Sequence, residues 1–220
     1  MRITRYQHHG VSPRLTGAAL AAGLTAVAAP AAAFCPATPE DARAGFVVLY
    51  DDDTSMASRL MPDGLQHDTE TYRHSPGEGY FTRGLYAVFL VEETPMENGE
   101  LLVDERWLFA YPGGLDSLPE IVPGLRWEGT ATFSDAEGNK ETWHKTVTAG
   151  ALMPVTHSGC RMMVIPVVLR STDADDFTDF LLYEYVPALG MSLFRGYSDS
   201  GEPDADDIMR IVGFAPYTAD

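Results

Sequence analysis

The histidines beyond residue 33 are the first residues to consider for chemistry, and they lack the spacing of a metal site. They are His67, His74, His144 and His157. They form no H-x-x-x-H, H-x-H or H-E-x-x-H pair, the spacings that direct two imidazoles to one metal ion. His67 and His74 lie near Asp68 and Glu70, so a zinc site at a sheet edge is an alternative to solvated histidines. The sequence predicts no metal and indicates no cofactor.

Acidic residues are concentrated in three segments, 51–53, 173–176 and 199–207. Calcium requires several oxygen ligands that converge from one loop, often around a glycine. The last segment contains Gly201 but lacks the EF-hand spacing and its closing glutamate. The three segments are therefore interpreted as solvated turns, and calcium binding by these loops stays open.

Signatures of nucleophilic catalysis and of nucleotide binding are missing from the sequence. It contains no G-x-S-x-G, no phosphate loop and no dinucleotide fingerprint, and Ser158 is only a sequence neighbour of His157. The catalytic residues are therefore unassigned and the sequence favours a non-catalytic protein. A site assembled from distant residues is the alternative, because catalytic groups are brought together in space.

Aromatic and methionine side chains give the strongest remaining signal for a binding site. Many of them fall in segments with strand-like patterns, and a curved sheet lined in this way could hold an apolar ligand. The alternative is that these side chains only form the core. The candidates for lining a ligand site are Tyr86, Phe89, Trp107, Trp127, Phe133, Trp143, Met162 and Tyr183.

The N-terminal segment predicts export. Arg2, Arg5 and Arg14 precede an apolar stretch, and Ala31 to Ala33 provide the small residues that a signal peptidase recognises. Residues 1–33 are therefore predicted to be a cleaved signal peptide, which places the protein in the periplasm or outside the cell. The apolar stretch is too short for a membrane span.

Cysteine content and charge are consistent with export. The chain contains two cysteines, Cys35 and Cys160, and an oxidising compartment favours a disulfide between them. The net charge is −17, and none of the acidic residues lies in 1–33, so the remainder is more acidic still. Such a surface repels nucleic acid and anionic membranes.

The segments that contain the candidate site residues are predicted to be β-strands. Segments 46–50, 80–91, 101–111, 127–133 and 140–147 are rich in β-branched and aromatic residues, with turn residues between them. Segment 74–79 reads as a loop and 127–147 as a hairpin with alternating apolar and polar positions. The fold class predicted is mainly β: an antiparallel meander that forms a curved sheet, half-barrel or barrel, with few short helices.

The domain organisation predicted is one β-rich domain over 34–220. Residues 112–123 contain three prolines and two glycines without strand character, so two halves joined near this segment are the alternative arrangement.

The C-terminal quarter shows one resemblance to known proteins. Its order is Gly159-Cys160, an apolar strand, an acidic turn, the segment 183–190 with sequence YEYVPALG, and a further strand. It resembles uncharacterised exported antiparallel-β proteins of Gram-negative bacteria, which are similar in outline to the half-barrels of periplasmic lipoprotein carriers. The resemblance implies an exported, curved β-sheet.

Three functions are consistent with the sequence. The first is a non-catalytic exported binding or carrier module that holds an apolar small molecule or a lipidated partner in a β concavity. The second is an accessory protein of envelope assembly that acts through protein–protein contacts. The third is a hydrolase with a dispersed site. The first two require no motif, which is why they are preferred over the third.

Overall fold

The described part of the chain forms an antiparallel sheet of 14 strands. The structure is a computed structural model and describes residues 34–199 and 201–218, so the predicted signal peptide lies outside the described residues. The strands are β1 Phe46–Tyr50, β2 Thr54–Leu60, β3 Gln66–Tyr72, β4 Ser75–Leu85, β5 Phe89–Glu97, β6 Glu100–Leu101, β7 Trp107–Ala110, β8 Arg126–Ser134, β9 Lys140–Ala149, β10 Met153–His157, β11 Cys160–Thr172, β12 Thr178–Val186, β13 Met191–Ser198 and β14 Ile211–Pro216.

The sheet curls until its two ends nearly meet. Twelve strands follow one hydrogen-bonded path, β13-β12-β11-β9-β8-β7-β5-β4-β3-β2-β1-β14. The segment before β14 bridges the ends, since Gly196 of β13 pairs with Ile208 and the Met209 amide donates to the Arg195 carbonyl at 2.7 Å. The result is a nearly closed, barrel-shaped sheet, which confirms the predicted fold class.

The described helices are short, as the sequence predicts. Helix α1 spans Pro39–Ala44 and begins with a capping box, in which Thr38 and Asp41 exchange hydrogen bonds. Two 3₁₀ turns occupy Val103–Glu105 and Leu115–Ser117. The second turn lies within 112–123, yet β7 and β8 on either side of that segment pair directly, so it joins neighbouring strands of one sheet.

The predictions for residues 74–111 require three corrections. Segment 74–79 is not a loop, because β4 begins at Ser75. Segment 80–91 is not one strand: Tyr86 and Ala87 both adopt left-handed backbone conformations (φ 56° and 58°) and turn β4 into β5. Such a turn usually contains glycine or asparagine. Residues 86–88 contain neither, so the turn has no local signal in the sequence. Segment 101–111 is interrupted by the first 3₁₀ turn.

The hairpin at 127–147 and the disulfide are both confirmed. Strands β8 and β9 pair from Arg126 opposite Thr148 to Ser134 opposite Lys140. Cys35 and Cys160 are bonded, with their Cα atoms 5.5 Å apart. The disulfide fastens the segment before α1 to the first residue of β11.

Side chains from all parts of the path fill the space inside the sheet. The largest fully buried ones are mostly aliphatic or aromatic: Phe46, Val48, Val88, Phe89, Val147, Val164, Ile165, Val167, Leu189, Met191 and Leu193. Strand β11 is buried on alternate residues from Cys160 to Val164 and on the other set from Ile165 onward. The strand therefore contributes first one face and then the other to the core.

We call the gap between the two ends of the sheet, beside β13, the seam. Side chains there bind backbone groups of β13 that lack a neighbouring strand. The Gln66 side-chain amide donates to the Ser192 carbonyl at 2.8 Å and accepts from the Ser192 amide at 2.9 Å. The Tyr50 hydroxyl donates to the Phe194 carbonyl at 2.8 Å. These contacts satisfy strand-edge groups that would otherwise be buried without partners.

Candidate functional site

A row of polar side chains crosses the buried face of three neighbouring strands. Ser171 of β11 lies opposite Lys145 of β9 on one side and opposite Asp179 of β12 on the other. The Lys145 ammonium donates to the Ser171 hydroxyl at 2.7 Å. Lys145 is 6% exposed and Ser171 is 2% exposed, so this hydrogen bond lies in the interior.

The Lys145 ammonium group lies in the interior beside aromatic rings. Burial lowers the pKa of Lys145 from 10.5 to about 8, and the nearby carboxylates of Asp179 and Glu93 oppose that shift. Glu93, on β5, is only 9% exposed. Buried ionisable groups of this kind cost folding free energy and are concentrated at functional sites.

The lysine, four connected aromatic residues and three polar residues form what we call the Lys145 cluster: Glu93, Trp107, Phe109, Phe133, Trp143, Lys145, Ser171 and Asp179. The Phe133 and Trp143 rings are stacked, with centroids 5.5 Å apart and planes inclined by 14°. Phe109 lies 5.7 Å from Phe133. The Lys145 nitrogen is 4.6 Å from the Trp143 centroid and 5.5 Å from the Phe109 centroid, within the range of a cation–π interaction.

One hydrogen-bond donor in this cluster has no partner. The Trp143 indole nitrogen is buried and makes no hydrogen bond to any described residue. Burying such a donor costs about 1–3 kcal/mol when nothing accepts its proton. Trp107, Phe133 and Trp143 are only half-buried, so part of each residue is accessible to solvent. The cluster thus combines accessible ring surface with an unused donor.

Two other predicted lining residues meet in a separate place, which we call the Phe89 cluster: Phe89, Tyr111 and Trp127. Tyr86 forms a further aromatic pair with Tyr185. The Phe89 ring lies 5.1 Å from Trp127 and 5.9 Å from Tyr111, and Tyr86 lies 5.3 Å from Tyr185. Gly129 makes room for Trp127, since a Cβ atom there would lie 2.4 Å from the indole ring. Phe89 is 1% exposed, whereas Tyr86, Trp127 and Tyr185 are half-buried.

The last two predicted lining residues belong to neither cluster. Met162 is buried in the first half of β11, opposite Val155 of β10. Tyr183 packs edge-on against Phe194, with ring centroids 5.6 Å apart. Of the eight residues, the structure therefore brings Trp107, Phe133 and Trp143 together in the Lys145 cluster.

Sequence reasoning missed Lys145, Ser171, Glu93 and Asp179. One signal could have found the lysine. Side chains alternate between the two faces of a strand, so Lys145 lies on the same face of β9 as Trp143, Val147 and Ala149, which is the apolar face. Ser171, Glu93 and Asp179 come near the lysine because of the way distant strands pair. No short stretch of sequence indicates that pairing.

A second buried polar group lies beneath the seam. Asp68 is 3% exposed and accepts two hydrogen bonds from the Gln66 side-chain nitrogen, at 3.0 and 2.9 Å. Burial raises the pKa of Asp68 from 3.8 to about 6, against the opposing hydrogen bonds from Gln66 and Ser58. This carboxyl therefore supports the side chain that completes the seam.

A third polar group joins the strands near the seam. The Glu184 carboxylate of β12 accepts from Arg195 of β13 and lies 2.6 Å from the His157 ring nitrogen at the tip of β10. The Arg195 guanidinium also donates to the Met209 carbonyl at 3.1 Å. His157 is thereby explained as a structural contact. Within 34–199 and 201–218, no three His, Cys, Asp or Glu side chains are grouped so as to hold a metal ion.

A surface cleft of about 570 Å³ lies beside the β11–β12 turn. Its lining combines two phenylalanines, an arginine and several acidic residues: Arg170, Asp176, Phe177, Thr178, Phe180, Asp199, Gly201 and Glu202. Arg170 and Phe180 are paired neighbours of Ser171 and Asp179 along the strands, so they occupy the opposite face from the Lys145 cluster.

Comparison of the chain with models of known protein families, with curated proteins and with solved structures finds no match. Among the described residues, no helix is long and apolar enough to cross a membrane. Function must therefore be argued from the chemistry of the candidate site.

Proposed function

We propose that this protein is a non-catalytic exported binding module that takes an apolar ligand into its curled sheet at the Lys145 cluster. The observation that carries the proposal is the convergence of four aromatic rings and a buried lysine on one face of the sheet. Pockets for small ligands have this composition: mostly apolar and aromatic walls with a few placed polar groups.

The partial exposure of the rings favours a binding role over a purely structural one. A core gains most when its aromatic residues are fully enclosed, as Phe89 is. Trp107, Phe133 and Trp143 remain half-buried, and the buried Trp143 nitrogen lacks a partner. A ligand would cover the remaining ring surface and thereby gain apolar burial.

Export is part of the proposal, in the periplasm or outside the cell. The disulfide between Cys35 and Cys160 is compatible with an oxidising compartment. The strongly acidic composition argues against nucleic acid as a partner.

Binding of an uncharged fluorescent probe, N-phenyl-1-naphthylamine, tests the proposal. We expect saturable fluorescence enhancement that weakens at least about tenfold in Phe133→Ala, because that ring contacts three others in the cluster. Phe177→Ala is the matched control, since Phe177 is 46% exposed and lies outside the cluster. Absence of saturable binding, or equal weakening in both variants, would refute the proposal and favour an accessory protein that binds through its surface.

One observation favours a second candidate, a hydrolase with a dispersed site. The Lys145 nitrogen lies 2.7 Å from the Ser171 hydroxyl, and the lowered pKa of about 8 makes the neutral amine accessible as a general base. Ser171 is 2% exposed, so a substrate would have to open the cluster. Covalent labelling by a fluorophosphonate that is lost in Ser171→Ala would establish this activity, whereas an unlabelled wild-type protein would exclude serine nucleophilicity.

A further inference from the structure

We infer that the ligand of the Lys145 cluster is an uncharged amphiphile whose carbonyl or hydroxyl oxygen accepts a hydrogen bond from the Trp143 indole. This inference rests on the proposed function and specifies its ligand class. Its starting point is the buried Trp143 nitrogen, which makes no hydrogen bond to any described residue.

The donor requires an acceptor from outside the described chain. A buried indole N–H usually finds a partner, because leaving it unpaired forfeits hydration without replacement. A ligand oxygen would supply that partner and recover the lost interaction. Since the nitrogen is buried in the free protein, the ligand reaches it by entering between the rings.

The local charges disfavour an anionic ligand. The single positive charge of Lys145 faces two carboxylates, Asp179 and Glu93, that stabilise its protonated form. The cluster as a whole is therefore negative when all three groups are ionised, within a chain of net charge −17. A carboxylate or phosphate entering this interior would meet repulsion in a medium that screens weakly.

A cationic ligand is disfavoured for a different reason. The faces of Trp143 and Phe109 that would attract it are already occupied by the Lys145 ammonium, at 4.6 and 5.5 Å. A second cation would have to displace that lysine or lie beside it. A cation without an acceptor atom also leaves the Trp143 donor unpaired.

The apolar part of the ligand would lie along the half-exposed rings. Trp107 lies 6.3 Å from Phe133, and Phe133 is stacked on Trp143, so the three form a continuous surface. An alkyl chain that covers them gains about 25 cal/mol for each Å² of apolar area buried.

Three ligands with one ten-carbon chain separate these possibilities: decanol, decanoate and decyltrimethylammonium. Each is titrated against the folded protein with bound N-phenyl-1-naphthylamine, which has no oxygen, and displacement is measured at about pH 7. We expect decanol to bind at least about tenfold more tightly than either ion. Equal or tighter binding of decanoate would overturn the inference.

The variant Trp143→Phe retains an aromatic ring and removes the N–H group. We expect it to weaken decanol binding about tenfold while leaving the probe's own affinity within about twofold. Trp127→Phe, in the Phe89 cluster, is the matched control and should change neither affinity. Unchanged decanol binding in Trp143→Phe would overturn the inference even if the probe binds. Failure of wild-type protein to bind the probe would instead refute the proposed function.

Discussion

The buried carboxyl of Asp68 makes stability depend on pH in a direction opposite to that of most acidic residues. Its pKa is raised from 3.8 to about 6 by burial, and the side chain is 3% exposed. We therefore expect wild-type protein to lose stability as pH rises through this window, when compared with a variant that cannot ionise at this position. The informative substitution is Asp68→Asn.

The sign follows from proton linkage. Because the folded-state pKa lies above the unfolded-state value, the folded protein binds more protons between about pH 3.8 and 6, and stability falls as pH rises there. The shift of about two pKa units corresponds to about 3 kcal/mol at most, at about 1.4 kcal/mol per unit. The destabilisation is complete above the folded pKa and absent below the unfolded one.

Urea unfolding at several pH values from about 4 to 7.5 measures the effect as the difference in unfolding free energy between wild type and Asp68→Asn. The variant also disturbs the hydrogen bonds from Gln66, but that cost is independent of pH and shifts the whole difference curve. Asp116→Asn, at an exposed position, is the control. A flat difference curve would show that Asp68 ionises in the folded protein as it does in water, and a curve that rises with pH would show that folding lowers its pKa; either result would refute the reasoning.

Three further outcomes are expected. Burial lowers the pKa of Lys145 to about 8. The unfolding free energy of wild type should therefore rise relative to that of Lys145→Met between about pH 8 and 10.5, by up to about 3 kcal/mol. A difference that does not change with pH would contradict this. Cys35→Ser should lower the unfolding free energy by about 2–4 kcal/mol without abolishing the fold, because the disulfide spans 125 positions. Two reactive thiols in unfolded, non-reduced wild type would show that the disulfide is absent. Gly196→Ala places a Cβ atom 1.8 Å from the Asp207 carbonyl oxygen, so amide hydrogen exchange in β13 should accelerate. Gly213→Ala meets only the flexible Leu49 side chain and should leave that exchange unchanged.

Loss of the disulfide should free only the few residues that precede α1. The polar composition of residues 34–45, taken alone, predicts that this whole segment frays when the bond is removed. In the structure, Ala42 of α1 is fully buried and the Arg43 carbonyl accepts from Arg59 at 2.8 Å. Fraying should therefore stop before α1, which hydrogen exchange of the Cys35→Ser variant would show.

Local patterns were sufficient for the strands whose turns contain the usual residues. The hairpin of β8 and β9 alternates apolar and polar positions, and its connection contains Gly138 and Asn139, so its strands followed from period and turn chemistry. The turn between β4 and β5 has neither glycine nor asparagine. Tertiary burial of Ala87, Val88 and Phe89 compensates for its left-handed conformations, and burial of that kind is invisible in sequence.

The sequence by itself determined the β class, the pairing partners of the only two cysteines and the aromatic residues available for a site. These properties depend on residue type, short-range period and composition, each of which can be read along the chain. Only the tertiary structure decided that Lys145, Ser171 and Asp179 form one row. It also decided that three of the eight predicted lining residues join them, and that the Gln66 side chain binds Ser192 at the seam. Those contacts depend on the register between strands distant in sequence, and register is set by the packing of the whole sheet.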